Sequence, residues 1–312
     1  MKGFNKSCLR MESEPHELVS QIAMELMMVK DKKSVLIAGS TGYLGKHLVK
    51  AFSQSGYHVI ALARNPGKLD SLADLIDKTI VIDPTNKSSL KGQMKNIDYV
   101  ISALGITKQK DNLGYWDVDF LANKNILEEA IVSGVSRFAY VHVLEADRIK
   151  GDMVTAKSAF VKLLRHSPID STIICPSGFF SDMCEFLNMG KSGRIYLFGN
   201  GEPKLNPIHG EDLAIEIERA VANKIDWLDI GGPEIFTQNE IAQLAFSVLG
   251  KPVIIVNIPF CFAKIIILLA KLLGFRRKIG PLEFFASAFS GDMCATKFGN
   301  HHLKVFFQEQ LP

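Results

Sequence analysis

The feature that most constrains this chain is an apolar run that ends in three glycines at fixed spacing. Residues 34–38 read Ser-Val-Leu-Ile-Ala, and Gly39-Ser40-Thr41-Gly42-Tyr43-Leu44-Gly45 follows at once. Residues 43–55 then place apolar side chains at helical intervals. A short apolar run predicts a buried strand and a 3.6-residue period predicts a helix, so the glycines mark a tight strand-to-helix turn. Each glycine has its own physical reason. Gly39 suits the sharp turn, Gly42 lets a diphosphate approach the backbone, and Gly45 lets the helix pack closely on the sheet. The helix N-terminus adds free N–H groups and a partial positive charge. The loop from Gly39 to Gly45, with Ser40, Thr41, Tyr43 and Leu44, is therefore the expected seat of a dinucleotide's phosphates.

The pattern continues beyond the loop. Apolar runs at 58–63, 78–82, 97–103, 137–142 and 171–175 alternate with helical segments at 120–133 and 154–166. Fully apolar strands alternating with helices predict a parallel sheet covered on both faces, which is an α/β, Rossmann-type doubly wound fold. The 312 residues are enough for one large domain of this kind or for a core domain plus a smaller lobe. The expected boundaries are an extension over 1–32, the dinucleotide-binding domain over 33–312, and the lobe from about 235. Within the extension, Leu18, Ile22, Leu26 and Val29 follow Pro15 at the spacing of one short amphipathic helix. It lacks the apolar segment of a secretory signal, and its glutamates argue against a transit peptide. It reads as a dispensable extension.

Charge and cysteine content exclude several classes. Lys and Arg total 36 against 33 Asp and Glu, a net +3, too balanced to predict a nucleic-acid partner. Cys8, Cys175, Cys184, Cys261 and Cys294 are widely spaced, which argues against disulfides and against a metal site. A reducing, cytoplasmic setting is expected.

The end of the second strand selects the cofactor. A carboxylate there would bind the adenosine ribose 2′-OH and repel a 2′-phosphate. The chain has Ala63-Arg64-Asn65-Pro66-Gly67-Lys68 instead. Arg64 and Lys68 supply cations for a 2′-phosphate, so NADP(H) is expected ahead of NAD(H). Asp83 closes the third strand, either as acceptor for the adenine amino group or as a turn residue before Pro84. Ser102-Ala103-Leu104-Gly105 ends the fourth with small side chains that leave room for a cofactor.

With these residues in view, the chain resembles the atypical short-chain dehydrogenase/reductase superfamily in its NmrA-like, NAD(P)H-binding branch. The resemblance covers about 33–307. It rests on the glycine loop, Arg64 to Lys68, Asp119-Phe-Leu-Ala-Asn123 and Cys175-Pro176-Ser-Gly-Phe-Phe180. It also rests on Asn206-Pro-Ile-His-Gly-Glu-Asp-Leu-Ala214, Gly231-Gly-Pro-Glu234 and Thr237-x-x-Glu240. The resemblance implies a C-terminal lobe over the nicotinamide and sets Pro176 beside the cofactor.

The superfamily reduces carbonyls with Tyr-x-x-x-Lys and a serine; the lysine holds the ribose and lowers the tyrosine pKa. The matching segment here is Met153-Val-Thr-Ala-Lys157. Lys157 is kept, which implies ribose binding, but Met153 transfers no proton. The fifth strand ends Tyr140-Val-His142-Val143 with no serine. His142 titrates near neutrality when unperturbed and is the first substitute proton donor, ahead of Tyr140, Tyr115 and His209. A buried, hydrogen-bonded strand histidine is nevertheless the favoured reading of His142. His209 is read as structural, with Glu211 or Asp212 capping a helix over 213–223. The expected activity is NADPH-dependent reduction of an apolar organic substrate at a carbonyl or activated C=C bond. The alternative is a non-catalytic dinucleotide-sensing regulatory or assembly protein.

Surplus hydrophobicity lies at 252–274. Residues 260–273 read as a helix of about 21 Å, too short for a bilayer core of roughly 30 Å, so no transmembrane segment is expected. Lys264 and Lys271 share one face, and Arg276-Arg277-Lys278 follow. A core or substrate-lid helix is favoured over peripheral contact with a membrane interface.

Overall fold

The computed structural model describes residues 32–106 and 113–311, and the chain divides into two units after Lys33. The amphipathic helix expected over 18–29 falls outside the described residues. From Ser34 onward, eight parallel strands form the central sheet. They are β1 (Ser34–Ala38), β2 (His58–Ala63), β3 (Lys78–Val81), β4 (Tyr99–Ser102), β5 (Arg137–Val141), β6 (Asp170–Pro176), β9 (Trp227–Gly231) and β12 (Thr296–Lys297). Their order is β12-β9-β6-β5-β4-β1-β2-β3. The chain reverses direction of winding between β1 and β4, and the crevice at such a switch point is where ligands sit in open parallel sheets.

Strand alternation splits the core into two layers. Leu36, Ala38, Val100, Phe138 and Tyr140 face one side; Val35, Ile37, Ile101, Ala139 and Val141 face the other. Helix α1 (Tyr43–Gln54) covers the second layer with Leu48, Val49 and Phe52. A single turn, α2 (Lys87–Leu90), precedes α3 (Asn123–Val132), and α3 and α4 (Asp152–Arg165) cover the first layer with Ile126, Leu127, Phe160 and Leu164. Helix α5 (Phe180–Lys191) joins them, while α6 (Gly210–Ala222) packs beside α1. Truncating a fully buried side chain such as Phe52 in this sheet sandwich is expected to cost about 3–5 kcal/mol.

Outside the central sheet, β7 (Ile195–Phe198) pairs with β11 (Ile255–Ile258) and β8 (Lys204–Leu205) with β10 (Phe236–Thr237), so strands on either side of residue 235 form two small sheets. Residues 296–297 then return to the main sheet as β12. Helix α7 (Gln238–Leu249) starts with a capping box between Thr237 and Glu240. The segment expected as one helix over 120–133 opens instead with a π-helical stretch, Trp116–Ala122, in which Asp119 is buried.

The apolar helix forms, as α8 (Phe260–Leu272); of the core and substrate-lid placements expected for it, its exposure rules out the core one. Among its described side chains only Ala263 is buried, while Ile265, Ile266, Leu268, Leu269 and Leu272 are more than half exposed. Other helices already cover both faces of the sheet, and α8 packs chiefly on α9 (Arg276–Ala288). The last helix is α10 (Leu303–Glu309). Among the described residues, no helix is long and apolar enough to cross a membrane.

Candidate functional site

The site begins where β1 turns into α1. Gly39 has φ +83°, and its carbonyl accepts from the Gly42 N–H at 3.0 Å, closing the turn. A Cβ at Gly39 would meet the Ala103 backbone at 2.9 Å, and one at Gly45 would drive into the Gly39 carbonyl. These two glycines keep the loop closed against the end of β4 and seat α1 on it. Gly42 is different: a Cβ there meets only the Gly39 oxygen, at 3.3 Å, and the residue is exposed. It is the N-cap of α1 and carries no side-chain cap, and the first turn holds no acidic residue. The leading amides of α1 are thus free to receive an anion.

One groove runs from this loop across the strand ends. Its outer part is lined by Thr41, Gly42, Arg64, Asp83, Ala103 and Leu104. Its inner part shares Gly39, Gly42, Ala103 and Gly105 and continues to Tyr43, Leu44 and Gly45, then to His142, Met153 and Lys157, with Asp182, Phe284 and Phe285 beyond. Most residues expected at the cofactor are therefore brought together. Ser40 is not a lining residue; its hydroxyl donates to the Leu62 carbonyl at 3.0 Å and ties the loop to β2. Lys68 is exposed on the 3₁₀ segment Pro66–Leu75 and lines neither part. Pro176 lines an adjoining apolar recess with Phe284 and Phe285. Asp83 accepts from the Thr85 N–H at 3.0 Å and the Thr85 hydroxyl at 2.8 Å, so the turn reading holds although its side chain also borders the groove.

Beneath Gly105 lies a buried polar cluster. Lys157 Nζ stands 3.3 Å from Oδ1 of Asp119, which is wholly buried. The same ammonium donates to the Val141 carbonyl at 3.2 Å and the Tyr140 hydroxyl at 3.4 Å. Burial holds the Asp119 carboxyl above its usual range, opposed by Lys157. A Cβ on Gly105 would fall 2.7 Å from Asp119 Oδ1 and 3.0 Å from Lys157 Nζ, so only glycine fits over the pair. Asn123 completes the cluster: it accepts from Ser102 at 2.5 Å and donates to the Val118 and Asp119 carbonyls. The sequence shows Asp119 and Asn123 as a motif but assigns them no role; Asp119 lies within the π-helical stretch, and Asn123 opens the α-helix that follows it.

The proton donors named from sequence fare poorly. His142 directly follows β5 and is buried, and burial, aided by the Lys157 charge, lowers its pKa to about 3. The ring is neutral at pH 7, which corrects the expectation that it titrates near neutrality. Nor is it well hydrogen-bonded: Nε2 lies 3.5 Å from the Ser158 hydroxyl and Nδ1 has no partner. Tyr140 is wholly buried with its pKa pushed well up by desolvation. Tyr115 is buried beside Gly280 and lines neither part of the groove. His209 caps α6 itself, accepting the Glu211 N–H at 3.3 Å, while Asp212 receives the Asn300 and His301 amides. This replaces the expected cap by Glu211 or Asp212. His209 stacks on His301 at 4.1 Å, and its cap bond leaves the ring proton on Nε2.

Sequence reading missed Asp182. It sits in the first turn of α5 and lines the inner groove with Lys157 and His142. Burial pushes its carboxyl up to about 6, and Glu185 acts in the same direction. The signal was its place just past the end of β6, where ligands gather in parallel sheets. In sequence it reads only as an acidic residue favoured at a helix start.

A family model described as NAD(P)H-binding matches residues 39–220. The chain is 26% identical over 244 residues to the Arabidopsis thaliana mitochondrial NADH dehydrogenase [ubiquinone] 1 alpha subcomplex subunit 9, covering 73% of this chain and 61% of that one. It is 29% identical over 252 residues to the chloroplastic divinyl chlorophyllide a 8-vinyl-reductase of the same plant, covering 72% and 60%. The chain thus spans about three fifths of the length of these curated relatives. Its fold matches an NADPH-dependent quinone oxidoreductase from Escherichia coli solved with NADPH, at TM-score 0.65 and 18% identity, covering 82% and 89%.

Proposed function

The chain belongs to the NAD(P)H-binding family, and on that premise we propose that it is an NADPH-dependent reductase of an apolar organic substrate. The observation that carries this reading is the single groove that joins the glycine loop to a recess walled by Phe284, Phe285 and Met153. The residues fit the cofactor: Gly39, Gly45 and Gly105 keep open a cradle that a Cβ would fill or distort, and the amides leading α1 are free. Arg64 borders the outer groove where a carboxylate would favour NAD(H), which supports NADP(H). Bound there, a dihydronicotinamide supplies a hydride.

The chain's own residues do the rest. Lys157, held by Asp119, stands at Gly105 ready to exchange a contact for a ribose hydroxyl. Asp182, with its carboxyl raised to about 6, stays partly protonated near neutrality beside the apolar recess, and that protonated fraction gives its proton to the reduced substrate. Phe284 and Phe285 exclude water and select apolar substrates. NADPH oxidation over a panel of enones and quinones, in wild type and Asp182→Asn, tests the reading. No oxidation with any substrate, alongside firm NADPH binding, rejects it.

Two observations favour the non-catalytic reading. Lys157 is already engaged by hydrogen bonds to Val141 and Tyr140 and by an ion pair with Asp119, and Met153 lines the groove where the superfamily holds its tyrosine. Binding without turnover in the same assay supports that reading.

A further inference from the structure

Helix α8 and the loop after it present a surface of unusual composition. Phe262, Ile265, Ile266, Leu268, Leu269, Leu272, Leu273 and Phe275 are each at least 50% exposed. Soluble monomers rarely leave so many large apolar side chains together in water, and such patches mark an interaction surface. The spacing gathers them on one side of the helix: Ala263, Ile267 and Ala270 form the inward face, and the exposed residues fill the outward one. Lys264 is exposed at the edge of that outward face, one turn before Leu268.

Charge identifies the occupant. No Asp or Glu stands between Glu240 and Glu283, whereas Lys251, Lys264, Lys271, Arg276, Arg277 and Lys278 all fall in that stretch. An apolar face within a stretch that has cations and no carboxylates is complementary to an anionic lipid surface, where acyl chains take the apolar side chains and headgroup phosphates take the cations. A second copy of the same face would set like charges against each other. The helix has 13 residues, about 20 Å, and is too short to cross a bilayer core of roughly 30 Å, so it lies in the plane of the interface.

We propose that α8 docks the protein on the surface of an anionic bilayer, with Phe262 through Phe275 in the headgroup–acyl boundary. This does not depend on the reductase reading. Helix α9, which packs on α8, carries the Phe284 and Phe285 that wall the groove, so docking would bring the groove's apolar end close to lipid.

The test is flotation of the full-length protein with vesicles of phosphatidylcholine alone and of phosphatidylcholine mixed with phosphatidylglycerol. Co-flotation with the mixed vesicles, weaker with the neutral ones and weakened by salt, is expected. Leu268→Glu/Leu269→Glu should reduce it by about tenfold or more while NADPH affinity, as a check of folding, stays unchanged. Leu272→Trp keeps the face apolar; the fluorescence of the introduced indole should shift to the blue on adding mixed vesicles and be quenched by brominated acyl chains. Absence of flotation, equal flotation of the glutamate variant, or an introduced indole that brominated lipid leaves unquenched overturns the proposal. So does a wild-type dimer that the glutamate variant splits without any vesicle binding, which would assign the face to a second copy.

Discussion

Lys157 Nζ lies 3.3 Å from the wholly buried Oδ1 of Asp119, and Gly105 is the roof over both. A buried pair of this kind is strongly destabilised when one partner is removed, because the other charge is left unmatched. Asp119→Leu and Lys157→Met are each expected to lose about 3–5 kcal/mol in denaturant unfolding. The double variant should recover much of that loss, since both charges are then gone. Additive losses in this cycle would mean that the two groups act independently.

The glycines at the groove make separate predictions. Gly105→Ala should weaken NADPH binding and stability together, because its methyl meets both members of the ion pair. Gly39→Ala combines a φ of +83° with a 2.9 Å approach to Ala103, and should abolish NADPH binding as read by fluorescence titration. Full affinity in Gly39→Ala would contradict the role assigned to the loop.

Arg64 tests cofactor choice. Arg64→Ala should weaken NADPH binding by roughly 10–150-fold, the worth of a hydrogen bond to a charged group, and leave NADH binding nearly unchanged. Equal wild-type affinity for both dinucleotides would remove the basis for preferring NADP(H).

Asp182 gives a pH signature. Its protonated form is the donor, and it is depleted as pH rises through about 6, so kcat should fall above that pH. Asp182→Asn should lower kcat by about 10²–10⁴-fold with little change in NADPH affinity. A variant that keeps wild-type kcat and the same pH profile assigns the proton to another source.

Folding stability should depend on acid in a defined direction. His142 and His47 are held neutral, with pKa values lowered to about 3 and about 4 chiefly by burial. The unfolded chain takes up their protons near pH 6.5, so stability is retained above that value and lost as pH falls toward 4. Asp182 acts oppositely, since its raised carboxyl favours the folded state at low pH and loses that advantage between 3.8 and about 6. His209 acts with these two histidines and Asp119 with Asp182, so the share of His142 is read as the difference between wild type and a variant between about pH 7 and about pH 4. His142→Asn should flatten this dependence; an unchanged slope would show that His142 is not held neutral by the fold.

Much of the fold was legible because its signals are local. The run 34–38, the glycines and the period of 43–55 each report on near neighbours, and β1, the loop and α1 follow them. The five other apolar runs became β2 to β6 for the same reason. Burial by distant partners was not legible. Nothing near His142 announces that the Lys157 charge will face it, and nothing near Asp182 reveals its desolvation. Asp119 is buried within a π-helical stretch, which no period in the sequence reports. The same limit explains α8. Its composition suggested a core or substrate-lid helix, and only the assembled sheet, with both faces already covered, removes the core placement.

Calorimetric titration of NADPH and NADP⁺ into the purified full-length protein tests the central claim most directly. The account predicts saturable binding at one site per chain, lost in Gly39→Ala. A folded protein that takes up neither form of the dinucleotide would contradict it.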